Sequence, residues 1–322
     1  TLAESKEKDW GSAIIDLGLR ESWAARSLGY VLSALPQTVD LHERIEKFAT
    51  SVQDSYWSMV SPYRFDENGK SFNWVANGLL GHGRALEVAQ LLVGRKAQVD
   101  SDLIVAILDG ILATQDRLKT SGNDATMFQY YVEQLFLHLD KDENFSRHEL
   151  SRLEWSYLKV LDHSSRPPSA LHHRLATDPS FFSEVISAVY RAKGTSPEEL
   201  NSEGRERQEI IASNAYTLLT SWREIPGTVA GTIKYELLEQ WFREAQELCA
   251  RASRGEIAEE KIGEVLAHAP GDLDGTWPCA SVRKLIETMR NSHLEIGFYI
   301  GTRNKRGVTT RGPLDGGDLE RQ

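Results

Sequence analysis

The chain has 322 residues, of which 40% are apolar and 26% charged, so it is long enough for more than one helical core and too apolar to be disordered. Thirty-seven Lys and Arg against 47 Asp and Glu leave a formal charge of -10, which opposes broad binding to nucleic acid or to an anionic membrane. Cys249 and Cys279 are the only cysteines, too few for a disulfide framework and without the spacing of a zinc or redox pair.

Taken in chain order, the elements are helices. After the polar start TLAESKEKD, apolar periodicity predicts helices over Arg20–Leu35, Leu41–Val60, Ser71–Leu80 and Gly83–Val93, punctuated by Pro36, Pro62 and Gly81. Both ends of the chain read as loose. Asp100 is an N-cap for a helix carrying Leu103, Ile104, Ile107, Leu108, Ile111 and Leu112 on one face. A second begins at Asn123 or Asp124 with Met127, Phe128, Tyr131, Leu135, Phe136 and Leu139 aligned, and the two are expected to pair.

Ser146 and Glu149 form a capping box ahead of Leu150, Leu153, Tyr157, Leu158 and Leu161. Asp178 with Pro179 at the first helical position opens another helix, burying Phe181, Phe182, Val185, Ile186, Val189 and Tyr190. Further helices are predicted over Arg205–Trp222, Thr232–Ser253, Glu256–His268 and Pro278–Arg290. The stretch Ile296–Ile300 has a strand-like composition but is too short to assign. No run of about 18 apolar residues exists for a membrane span, and no signal peptide is evident.

These elements predict an all-α protein: an irregular α-solenoid of stacked helix pairs with HEAT- or TPR-like geometry, or two helical subdomains in tandem. The polar segment 194–204 is expected to separate an N-terminal stack, 1–193, from a smaller C-terminal subdomain, 205–322, with a Gly- and Arg-rich tail. The Thr1 start and the abrupt polar finish lead us to expect a piece of a longer polypeptide.

Apparent motifs lose residues that their chemistry needs. Gly69-Lys70-Ser71 resembles the end of a phosphate-binding loop, but Arg64 stands where the first glycine belongs and a turn, not a strand, precedes it. Asp140, Asp142, Asn144 and Ser146 alternate like calcium ligands, yet Phe145 replaces the turn glycine and Ser151 the bidentate glutamate. Asp272, Asp274 and Gly275 raise the same question and read as an ordinary loop. Nine histidines include no H-E-x-x-H, and His172-His173 is the only adjacent pair. No metal site, cofactor or catalytic residue is expected. Trp57, Trp222 and Trp277 read as seals at helix-pair ends.

Two basic groupings remain as candidate binding sites. The loop and helix from Asp162 to Arg174 carry His163, Arg166, His172 and Arg174; Pro167 and Pro168 stiffen the chain ahead of a cap at Ser169, which predicts an ordered, exposed set of donors for a protein partner. In the tail, Arg303, Lys305, Arg306 and Arg311 are candidates for holding a phosphate or an acidic partner.

The segment LEWSYLKVLDHSSRPPSALHHRLATDPSFFSEVISAVYRAK (Leu153 to Lys193), with SWREIPGT (Ser221 to Thr228), GEVLAHAPGDLDGTWPC (Gly263 to Cys279) and RNKRGVTTRG (Arg303 to Gly312), resembles the C-terminal helical-repeat region of large uncharacterised multidomain bacterial proteins. Some of these are NTPase- or nuclease-associated and defence-like. The likeness covers about a third of the chain and has no motif of known role, so it carries no site residue across. It implies a cytoplasmic, non-enzymatic helical-repeat module that binds a protein partner or the other domains of its parent; a purely structural arm and an unrecognised hydrolase or nuclease with its site in the groove are the alternatives.

Overall fold

The computed structural model describes residues 2–65, 72–95, 99–114, 123–162, 164–191 and 202–305. The protein is all-α: 73% of it is helical, in seventeen α-helices among the described residues, with almost no strand. No described helix is long and apolar enough to cross a membrane. The chain divides into two units, Thr1–Ser146 and Arg147–Gln322.

The first unit contains α1 (Leu2–Arg20), α2 (Ala25–Ala34), α3 (Val39–Ile45), α4 (Thr50–Met59), α5 (Phe72–Leu80), α6 (Ala85–Arg95), α7 (Ser101–Ala113) and α8 (Asn123–Leu139). The polar start is thus helical, where the sequence read as loose. Asp100 caps α7 as its position predicts, accepting a hydrogen bond from the Leu103 amide at 2.9 Å. The pairing expected of α7 with α8 is present. On α8, Phe128, Leu135, Phe136 and Leu139 are buried, but Met127 faces solvent and Val132 takes a core place that the predicted stripe omitted.

The single helix expected over Leu41–Val60 is two. Gln53 on α4 donates to the carbonyls of Glu46 and Phe48 at 3.2 and 2.8 Å, satisfying backbone acceptors that a continuous helix would have bonded itself. The break lets α4 pack on α2 and brings Trp57 against Trp74, ring centres 4.8 Å apart, with His42 stacked on Trp74 at 4.4 Å. Trp57 is therefore a core residue.

The second unit contains α9 (Arg147–Ser156), α10 (Leu158–Leu161), α11 (Ser169–Thr177), α12 (Pro179–Val189), α13 (Ser202–Ser221), α14 (Tyr235–Arg251), α15 (Gly255–Leu266), α16 (Ala280–Met289) and α17 (Ser292–Lys305). Asp178 caps α12 through the amides of Ser180 and Phe181, and Pro179 occupies its first turn. A two-residue hairpin, β1 (Thr228–Val229) and β2 (Thr232–Ile233), precedes α14. Ala230 and Gly231 both have positive φ, as a tight antiparallel hairpin turn requires.

Phe182, Trp222 and Trp241 lie at the centre of one core that runs from Leu158 to Leu294. Helices on both sides of the polar segment 194–204 contribute to it, α12 packing against α13 and α14. The division of the chain consequently falls at Ser146, ahead of the capping-box helix, and not at that segment. Residues 194–201 themselves lie outside the described residues.

The stretch Ile296–Ile300 is the middle of α17, which packs closely on α15. A Cβ on Gly297 would run into the Glu260 carbonyl, and one on Gly263 into that of Leu294, so the backbones approach as closely as only glycine permits. The isolated apolar residues of this stretch read as strand because the glycines that seat the helix have no hydropathy of their own.

Candidate functional site

The segment between α10 and α11 is organised by a buried ion pair. Glu154 on α9 lies 2.7 Å from the Arg166 guanidinium, and both side chains are almost wholly buried. The same carboxylate accepts the Leu171 amide hydrogen at 2.8 Å, serving the first turn of α11 from a neighbouring helix. Burial pushes the Glu154 carboxyl above its ordinary range, while Arg166 and the amides of Leu171 and Ala170 pull it back. Ser164 Oγ donates to the Arg166 carbonyl at 2.6 Å and closes the turn.

This corrects the expectation of exposed donors along Asp162–Arg174. Arg166 is consumed by Glu154. His172 is buried too, with a ring nitrogen 3.3 Å from Ser221 Oγ. Desolvation, helped by the charge of Arg223, pushes its pKa down to about 4, so the ring is neutral near pH 7. Ser169 is the first residue of α11 rather than its cap; Pro168 holds the cap position without a side-chain bond. His163 lies outside the described residues.

Of the three described, Arg174 alone reaches an open surface. It sits over the Phe181 ring at 4.0 Å and pairs loosely with Asp178 at 3.6 Å. Both flank a cleft of about 400 Å³ formed by α9, α11, α12 and α13. Its floor is apolar: Trp155, Leu171, Phe181, Val185, Ala188 and Ile211. Its polar and charged groups include His148, Arg152, Arg174 and Glu184, and Arg152 is held in place by Glu149 at 2.6 Å. Ser151 also lines it, with a buried Oγ that bonds to nothing in the protein. An apolar floor with few oriented polar groups suits recognition of a side chain or small apolar group.

Of these residues, sequence reasoning singled out Arg174 for binding and assigned Phe181 and Val185 to the core. It missed Arg152, Trp155, Ala188 and Ile211, which come together because α13 packs on α12 and Asn214 donates to the Trp155 carbonyl on α9, contacts with no local sequence signal. Glu154 did leave one: a carboxylate among Leu153, Trp155, Tyr157 and Leu158 is a charge on an apolar face and asks for a buried partner.

Of the tail residues, Arg303 is exposed, 5.8 Å from the Tyr299 ring centre, and Lys305 ends α17. Arg306 and Arg311 lie outside the described residues, as does Gly69-Lys70-Ser71. Asp142, in the calcium-like stretch, accepts from Ser101 Oγ at 2.6 Å and from the Asn144 amide at 3.0 Å, an ordinary turn arrangement that lowers its pKa. Asp272 pairs with Arg283 at 2.8 Å, and Asp274 accepts from the Thr276 amide. Trp277 is exposed and donates its indole N–H to the Ala269 carbonyl, which fastens this loop. Among the described residues no group of three or more His, Cys, Asp or Glu is placed to hold a metal ion.

Compared with protein families, curated proteins and solved structures, the chain matches none.

Proposed function

We propose that the protein is a non-enzymatic helical module that recognises a protein partner, or another domain of a longer polypeptide, through the cleft between α9, α11, α12 and α13. The observation that carries this reading is the combination of an apolar floor and a cationic rim, with Arg174 held over Phe181 while Arg166 is tied to Glu154. A partner presenting an apolar side chain beside a carboxylate fits that lining.

We further propose that each unit is a piece of irregular solenoid. Helices packed against near neighbours, such as α5 on α6, α6 on α7 and α7 on α8, support it. The resemblance to helical-repeat regions of large bacterial proteins agrees with this and with a cytoplasmic setting, where a free buried Cys249 is at home.

The test places a photo-crosslinking amino acid at Ile211 in the native host and identifies the adduct. A single defined partner is expected, and Ala188→Arg, which fills the floor, removes the adduct without changing the melting temperature. Failure to form an adduct, or one that persists in Ala188→Arg, overturns the proposal.

A further inference from the structure

A second, smaller pocket in the same unit differs from the cleft in chemistry. The end of α13 supplies Thr220, Trp222 and Arg223, α15 and the residue turn after it supply Lys261, Glu264 and His268, and α17 supplies Asn304. Its volume is about 160 Å³, well below the ~300–1,000 Å³ of drug-sized ligand sites. The lining contains three nitrogen bases or cations and a side-chain amide, against one carboxylate. That carboxylate is already spoken for: Glu264 holds the Lys261 ammonium at 2.8 and 2.9 Å.

Arg223 has no such partner among the described residues. One of its guanidinium nitrogens donates to the carbonyls of Thr220 and Trp222, at 2.8 and 2.6 Å, which fixes the group at the C-terminal end of α13. Among the described residues no carboxylate lies within ion-pair distance of it. Desolvation holds its pKa below the ordinary arginine value, and the more distant Glu264 restores only part. A fixed cation with no carboxylate partner among the described residues, beside a second cation in a confined space, is the arrangement that a tetrahedral oxyanion completes.

We propose that this pocket binds a phosphate-type oxyanion, with Arg223 and Lys261 as its cationic ligands. Anion binding at this end of α17 was expected of the basic tail; here it rests on residues of α13 and α15 that the sequence did not bring together. The small volume favours a free ion over a nucleotide, and a phosphorylated side chain offers the same oxygens.

The experiment titrates the full chain with potassium phosphate, against potassium chloride at matched ionic strength, while the Trp222 indole N–H resonance is followed by NMR and assigned with Trp222→Phe. A saturating shift with phosphate and none with chloride is expected. Arg223→Gln should weaken binding about ten-fold or more, the effect of losing one charge-assisted hydrogen bond. Asn304→Asp, which leaves the Arg223 contacts untouched and adds a negative charge, should abolish it; thermal melts confirm that both variants fold. Repeating the titration with O-phosphoserine separates the sources: tighter binding than phosphate supports the site and assigns it to a modified side chain, and weaker binding supports a free ion. Identical responses to phosphate and chloride, or saturation unchanged in both variants, would overturn the proposal.

Discussion

The two sides of α11 use the same residue type for opposite ends. At its start, Arg166 is buried against Glu154, and the carboxylate in turn holds the Leu171 amide, so every charge there serves the fold. Eight positions on, Arg174 lies over Phe181 with part of its guanidinium in solvent, at the rim of an apolar cleft. The contrast shows that an arginine's role in this chain is set by what the neighbouring helix offers. A carboxylate inside α9 draws one arginine inward; an aromatic face on α12 leaves the other at the surface.

The sharpest way to break that contrast is Arg166→Ala. Removing one partner of a buried pair leaves an uncompensated carboxylate, and the expected loss is about 3–5 kcal/mol. For a helical unit of this size the melting temperature should fall on the order of 10 °C, measured by circular dichroism. The double variant Glu154→Gln with Arg166→Met keeps an acceptor for Leu171 and removes both charges, so it should recover much of the loss. An Arg166→Ala protein that melts with the wild type would place the pair outside the stabilising core.

A somewhat smaller effect is expected from pH at His172, which sits between those two arginines. Its folded pKa is about 4, below the 6.5 of an unfolded histidine, so between these values the unfolded chain binds the extra proton. The contribution is whole above pH 6.5 and is lost as pH falls toward 4. Two and a half units correspond to about 3 kcal/mol at the limit. Denaturant midpoints at pH 7.5 and pH 4.5 should therefore diverge more in the wild type than in His172→Gln; equal slopes would show that the ring is not withdrawn from water.

What was legible in the sequence is what local rules govern. The N-caps Asp100 and Asp178 and the stripe of α7 lie where periodicity and capping put them, because each depends on residues within one or two turns. The break between α3 and α4 was not legible, since Gln53 reaches back to carbonyls seven and five positions earlier. Nor was α17, whose seating depends on glycines meeting another helix. The candidate cleft fared similarly: Arg174 stood out as a charge, while nothing local joined Trp155, Ala188 and Ile211, which lie on three different helices. Arg166 failed as a surface donor for the same reason, because its partner is twelve residues away on α9 and the sequence marks Glu154 only as a misplaced charge.

The smallest stability effect, and the one that isolates recognition from folding, belongs to Arg174→Ala. Its ion pair with Asp178 is long, partly exposed and four residues away on the same stretch of chain, the kind worth a few tenths of a kcal/mol. Its stacking on Phe181 adds on the order of 0.5–1 kcal/mol at a site still open to solvent. The total should stay near 1 kcal/mol or below, a shift of a few degrees at most, against the much larger cost at Arg166. Arg174→Glu goes further by setting a negative charge beside Asp178 and Glu184, and it should still fold, because none of the three is buried. If the cleft recognises a partner through its cationic rim, crosslinking from Ile211 should drop in Arg174→Ala and vanish in Arg174→Glu, while both proteins keep their helical signal. Retained crosslinking in Arg174→Glu would leave the apolar floor as the recognising surface and reduce Arg174 to a cover for Phe181. A melting temperature that falls as far as that of Arg166→Ala would erase the distinction between the two sides of α11.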